Sequence, residues 1–126
     1  MKKLLIIAVL FTGAFSNAQE GLAQNTIKAV LTSNQSQVIQ LAEAFPEDKY
    51  SWRPAEGVNS VGEALLHVAA GNYFLASKLG FAPPEDVDMM TLGKITGKDN
   101  IIATLKKSNE FVLEKINMVE DGDLND

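Results

Sequence analysis

The 126-residue sequence contains no cysteine, one histidine and one tryptophan. Without cysteine, the chain forms no disulfide, offers no thiolate nucleophile and has no cysteine-containing metal site. It also lacks a glycine-rich phosphate-binding loop and a serine nucleophile motif, which argues against the nucleotide-binding and serine-hydrolase classes. No long stretch alternates β-branched and polar residues, so the sequence does not predict a β-rich fold.

Basic residues are also few, because 11 Lys and Arg stand against 16 Asp and Glu, giving a net charge of −5 at pH 7. Nucleic-acid binding depends on Lys and Arg contacts to phosphate, so an acidic chain is not expected to bind nucleic acid. Anionic membrane surfaces are disfavoured for the same reason. The length predicts a single domain with a modest core.

The longest apolar run lies at the N-terminus, where residues 4–15 follow two lysines and precede the small residues of Ser16-Asn17-Ala18. This layout predicts a secretory signal peptide over residues 1–18. The alternative is a transmembrane anchor, but a bilayer-spanning helix needs roughly 20 apolar residues. We therefore expect an exported protein, periplasmic or secreted, with no membrane attachment after cleavage.

Cleavage after Ala18 removes both N-terminal lysines and leaves a domain at residues 19–126 with a net charge of −7. Apolar residues at spacings of three and four predict three helices in this domain. They are expected at Gln24–Phe45, Ser60–Leu79 and Asp99–Val119. Residues 81–98 are expected to form a long loop, and the acidic tail from Glu120 is not expected to be helical.

Local residues mark where these helices begin and end. Pro46 ends the first helix, because proline has no amide to donate and restricts the residue before it. Ser60 and Glu63 predict a capping box at the start of the second helix, and Gly80 follows its end. The pattern as a whole predicts an all-α, antiparallel helical bundle.

The second helix is apolar around most of its circumference. We expect its core face to be the stripe formed by Val61, Leu65, Val68, Leu75 and Leu79. Leu66, Ala69, Tyr73 and Ala76 lie outside this stripe, and a helix that is apolar on most sides expects neighbours on most sides. The sequence therefore predicts a missing fourth helix or a partner.

His67 is the candidate metal ligand, with Glu63 one helical turn before it. A zinc site needs three or four ligands, so the alternative is a histidine that bonds to a neighbouring helix. Glu63 is already expected in the capping box. No catalytic residue can be assigned from the sequence.

The loop before this helix holds the remaining candidates. Trp52 is expected to pack beneath the loop and over the helix ends, as large aromatic residues usually do. Arg53 is expected to form a salt bridge with Glu63 or Glu56; the alternative is that it binds an anionic substrate in a cleft.

The segment PEDKYSWRPAEGVNSVGEALLHVAAGNYFLASKLG, residues 46–80, resembles the DinB-like (damage-inducible) superfamily. Residues 106–115 are similar to the third helix of that family. The resemblance implies an up-down four-helix bundle with a divalent metal, zinc or nickel, bound by three histidines. Some relatives are thiol transferases that act on small molecules. The first family histidine corresponds to His67.

The other two family histidines lie in a His-x-x-x-His pair on the last helix, and this sequence has no second histidine. The chain is therefore expected to be either truncated before that helix or a degenerate member, with about three helices and no complete metal site in one copy. Apolar faces left open in this way favour oligomers, a homodimer among them.

Two functions follow from the resemblance. The first is an exported, metal-dependent enzyme acting on a small-molecule substrate, of the thiol transferase or hydrolase type, of which this chain is an inactive form. The alternative is a non-catalytic exported helical bundle that binds a small molecule or a partner protein through the groove beside His67.

Overall fold

A computed structural model describes residues 21–119, which form three α-helices and no β-strand. The helices are α1 (Leu22–Ala44), α2 (Val61–Lys78) and α3 (Lys98–Ile116), with 3-10 turns at Glu47–Lys49 and Leu92–Lys94. The all-α class predicted from the sequence is confirmed. The predicted signal peptide and the acidic tail after Val119 lie outside the described residues.

The start of α2 has the predicted capping box. The Ser60 hydroxyl accepts a hydrogen bond from the Glu63 amide at 3.2 Å, and the Glu63 carboxylate accepts one from the Ser60 amide at 2.8 Å. These two bonds satisfy amides that the first turn of a helix leaves without partners. The chain therefore enters α2 in a fixed direction.

Side chains from elsewhere in the fold close the end of α1. The carbonyl of Ala42 would accept the amide of residue 46 if the helix continued, but Pro46 has no amide hydrogen. The Tyr50 hydroxyl donates to this carbonyl instead, at 2.7 Å. The ammonium of Lys98, at the start of α3, donates to the carbonyl of Glu43 at 2.8 Å.

Helix α3 is the central element, since it packs on both other helices while α1 and α2 scarcely contact each other. The Gln24 side chain near the start of α1 donates to the carbonyl of Ile116 at the end of α3, so α1 and α3 are antiparallel. The first turns of α2 and α3 lie together, with Gly62 against Ile101. These two helices are parallel, because the connection through residues 79–97 brings the chain back to the same end. The expected antiparallel relation therefore holds for α1 alone.

The apolar residues that recur at spacings of three and four in the third predicted helix form the buried face of α3. Ile101, Leu105, Val112, Ile116 and Val119 are all buried. The amphipathic pattern predicts this face because α3 contacts helices on one side and solvent on the other.

The predicted core face of α2 is wrong in its orientation. The buried residues are Leu65, Leu66, Ala69, Tyr73 and Ala76. Three residues of the predicted stripe are exposed, namely Val68, Leu75 and Leu79. Several faces of α2 are apolar, and only packing against α3 decides which one is buried.

None of the helices within residues 21–119 is both long enough and apolar enough to span a membrane.

Candidate functional site

The candidate ligand His67 lies on the exposed side of α2. The small residues Ala64 and Gly71 are its neighbours at the adjacent turns of the helix. Within residues 21–119 its imidazole makes no hydrogen bond to a neighbouring helix, so the interpretation of His67 as a bonded core histidine is wrong. The side chain is accessible from solvent.

The Glu63 carboxylate, one turn before His67, is already occupied. It accepts hydrogen bonds from Arg53 at 2.5 Å and from the Ser60 amide. The bond from the Arg53 guanidinium, followed by that from Ser60, lowers the pKa of the Glu63 carboxyl. The predicted salt bridge of Arg53 is therefore confirmed, with Glu63 as the partner.

The described residues do not fit the metal that the family resemblance implies. Among residues 21–119 there is no group of three His, Cys, Asp or Glu side chains placed to hold a metal ion. His67 supplies one ligand, whereas zinc takes three or four. Glu63, the nearest carboxylate along the helix, is held by its own partners. One copy of the described chain thus presents a single imidazole and no ligand set.

Two backbone hydrogen bonds fix the loop before α2. The amide of Val61 donates to the carbonyl of Trp52 at 3.1 Å, and the amide of Gly62 donates to that of Tyr50 at 2.9 Å. Tyr50 is buried, but the Trp52 side chain is 55% exposed. The prediction that Trp52 packs beneath the loop is therefore wrong. Tyr50 anchors the loop instead.

Helices α1 and α2 each carry an exposed apolar strip. The six strip residues are Ile27, Val30 and Leu41 on α1 and Val68, Leu75 and Leu79 on α2 and its C-cap; they are 38–55% exposed. On both helices the strip lies on the same rotational side of the buried face. Because α1 and α2 run in opposite directions and both pack on α3, we infer that the two strips face one corner of the bundle formed by residues 21–119. We call this corner the α1–α2 groove; the exposed His67 directly precedes the strip residue Val68 in the sequence.

A buried polar cluster that the sequence did not predict lies between α2 and α3. The Asn72 amide donates to Ser108 Oγ at 3.0 Å and to Asn109 Oδ1 at 2.7 Å. All three residues are buried. Their positions within otherwise apolar faces were the only indication in the sequence, and that pattern does not reveal which partner each side chain finds.

A second buried polar residue, Gln35, lies on the core face of α1. Its Nε2 atom has no hydrogen-bond partner among the residues that the structure describes. A buried donor without a partner destabilises the folded state. The described residues thus form a small helical bundle that combines an exposed apolar groove, a single histidine and a few buried polar groups.

Comparison with known families agrees with this description. The family model for the DinB superfamily matches residues 31–126, which is most of the chain, so this chain belongs to the DinB superfamily. No curated protein and no solved structure matches it. The match confirms the resemblance seen in residues 46–80.

Proposed function

We propose that this protein is an exported, non-catalytic binding module of the DinB superfamily, and that its α1–α2 groove accepts a helical polypeptide segment. The two exposed apolar strips carry this proposal. The three α1 strip residues span about 21 Å of helix from Ile27 to Leu41, with the exposed polar residues Asn34 and Gln37 between Val30 and Leu41. Small-molecule pockets enclose most of their ligand, whereas this groove is open along its length. An apolar groove of this kind suits an amphipathic helix.

Export to the periplasm or the exterior is part of the proposal and is supported by the sequence pattern of residues 1–18. A binding module is favoured over an enzyme because the groove offers apolar contacts and one imidazole; among residues 21–119 no metal-ligand group forms around His67, and the nearby Glu63 carboxylate is held by Arg53 and Ser60.

The groove is tested with the apolar dye 8-anilinonaphthalene-1-sulfonate. We expect the purified protein to enhance dye fluorescence and Leu75→Ser to reduce the enhancement at unchanged helical content. The control is Met90→Ser, which removes an 85% exposed apolar side chain from the connection outside the groove. Equal loss of dye binding in both variants would show that the groove is not the site.

A metal-dependent enzyme acting on small molecules is the second candidate. Membership of a superfamily that is generally metal-associated favours it, as does the solvent exposure of His67. Since one copy does not supply the ligands, such a site requires imidazoles from more than one copy. This candidate predicts that sedimentation velocity with zinc or nickel shows a metal-dependent oligomer, and that His67→Ala abolishes it. A molar mass that the metal does not change would rule this candidate out.

A further inference from the structure

A cleft separate from the α1–α2 groove lies where α2 and α3 begin. It encloses about 650 Å³ between the loop through residues 47–53 and the segment through residues 93–98. This volume lies in the range of small-molecule sites. Neither His67 nor any residue of the apolar strips lines it.

The floor of the cleft is tightly built. A Cβ atom at Gly62 would lie 2.9 Å from Ile101 Cδ1 and 3.3 Å from the carbonyl oxygen of Tyr50. Both distances are shorter than ordinary van der Waals contacts. The absence of a side chain at Gly62 therefore lets the Tyr50 loop and α3 approach each other while the space above them stays open.

The charge of the cleft differs in sign from that of the chain. Arg53, Lys94 and Lys98 line it together with Glu47 and Glu63. Arg53 and Glu63 neutralise each other in their salt bridge. This leaves two lysines against one carboxylate in a protein whose net charge is −5.

Neither of the two lysines is neutralised by a carboxylate among residues 21–119. The ammonium of Lys98 donates to the carbonyl oxygens of Glu43 and Phe45, which fix its position and offset part of its charge. Gly97, also in the lining, gives α3 no side-chain cap, so the first amides of α3 add partial positive charge to the same wall, which Asp99 in that turn offsets in part.

We propose that this cleft binds a small organic anion, with Lys94 and Lys98 facing its carboxylate or phosphate group and Ile95 and Ile101 contacting its apolar part. The site is independent of the groove. An organic anion is favoured over an inorganic one because the cationic wall stands above an apolar floor.

Binding is measured by amide chemical shifts of the ¹⁵N-labelled protein during titration with benzoate and with inorganic phosphate, using chloride at matched ionic strength as the reference. We expect saturable shifts at Gly93, Thr96 and Gly97, with tighter binding of benzoate than of phosphate. Shifts that chloride reproduces, or that spread over the whole chain, would overturn the proposal.

Two variants with opposite expected effects make the test specific. Lys94→Gln should weaken benzoate binding about fivefold, whereas Glu47→Gln should tighten it, because each change alters one charge at the cleft. The control Lys28→Gln lies on α1 away from the lining residues and should leave the affinity unchanged, as should the groove variant Leu75→Ser. An equal loss with Lys28→Gln, or no effect of either cleft variant, would contradict the site without bearing on the groove.

Discussion

Two residues of α1 show that the effect of a buried polar atom on stability depends on whether it has a hydrogen-bond partner. The Ala42 carbonyl loses its helical donor to Pro46 and gains the hydroxyl of Tyr50. The Gln35 Nε2 atom finds no acceptor within residues 21–119. Leaving a buried polar group without a partner costs more than the bond itself contributes, so changes at the two sites should have opposite signs.

Tyr50→Phe should lower the free energy of unfolding by about 1–3 kcal/mol, because it leaves the Ala42 carbonyl unpaired. Urea denaturation of the purified protein measures this change. Tyr73→Phe is the matched control, since within residues 21–119 the Tyr73 hydroxyl makes no hydrogen bond. If both variants lose the same stability, the bond to Ala42 does not close α1.

Gln35→Met should raise the free energy of unfolding by about 1 kcal/mol, because it removes a buried donor while keeping the length of the side chain. The exposed Gln37→Met is the control and should change stability by less than ~0.5 kcal/mol. Destabilisation by Gln35→Met in the urea curve would show that the amide finds a partner in solution.

The elements of the fold differ in how well the sequence predicts them. Ser60, Glu63 and Pro46 act on neighbouring residues, so the start of α2 and the end of α1 follow from local chemistry. The buried face of α3 is also predictable, because its apolar residues lie on one side. The orientation of α2 is not, since residues on several of its faces are apolar and the choice depends on the shape of α3.

The same distinction applies to the candidate site. The exposure of Trp52 and the role of Tyr50 depend on how closely the loop approaches the end of α1. No local sequence pattern indicates that distance. The salt bridge from Arg53 to Glu63 was predictable because both residues lie beside the capping box. The cleft between the two loops joins residues some 40 positions apart in sequence, and their meeting depends on the parallel arrangement of α2 and α3.

Two glycines of α2 test the packing of that helix directly. Gly62→Ala should destabilise the protein by about 1–3 kcal/mol, because the new methyl group meets Ile101 and the Tyr50 backbone. Gly71→Ala meets no atom within 4 Å and should stabilise it by about 0.5–1 kcal/mol through higher helix propensity. Thermal unfolding of the two variants should therefore move in opposite directions; a shift in the same direction would show that α2 is placed differently against α3.

At the scale of the whole molecule, the open corner of the bundle decides how the protein behaves in water. The α1–α2 groove exposes six apolar side chains from two helices. Exposed apolar patches mark sites of association. We therefore expect the protein to self-associate at high concentration.

Sedimentation velocity over a range of concentrations should show reversible self-association of the purified protein. Val30→Ser, which places a hydroxyl in the α1 strip, should shift the equilibrium toward monomer. Val58→Ser, at an exposed position in the loop outside the groove, should leave it unchanged. A protein that stays monomeric throughout would show that the groove does not bind a second copy.

Within residues 21–119, one copy carries the exposed His67 beside the proposed α1–α2 groove and no complete metal site. Calorimetric titration of the purified protein with zinc and with nickel tests it most directly. We expect no site tighter than the weak micromolar range for either metal, in the wild-type protein and in His67→Ala alike. Tight binding to either metal that disappears in His67→Ala would contradict it.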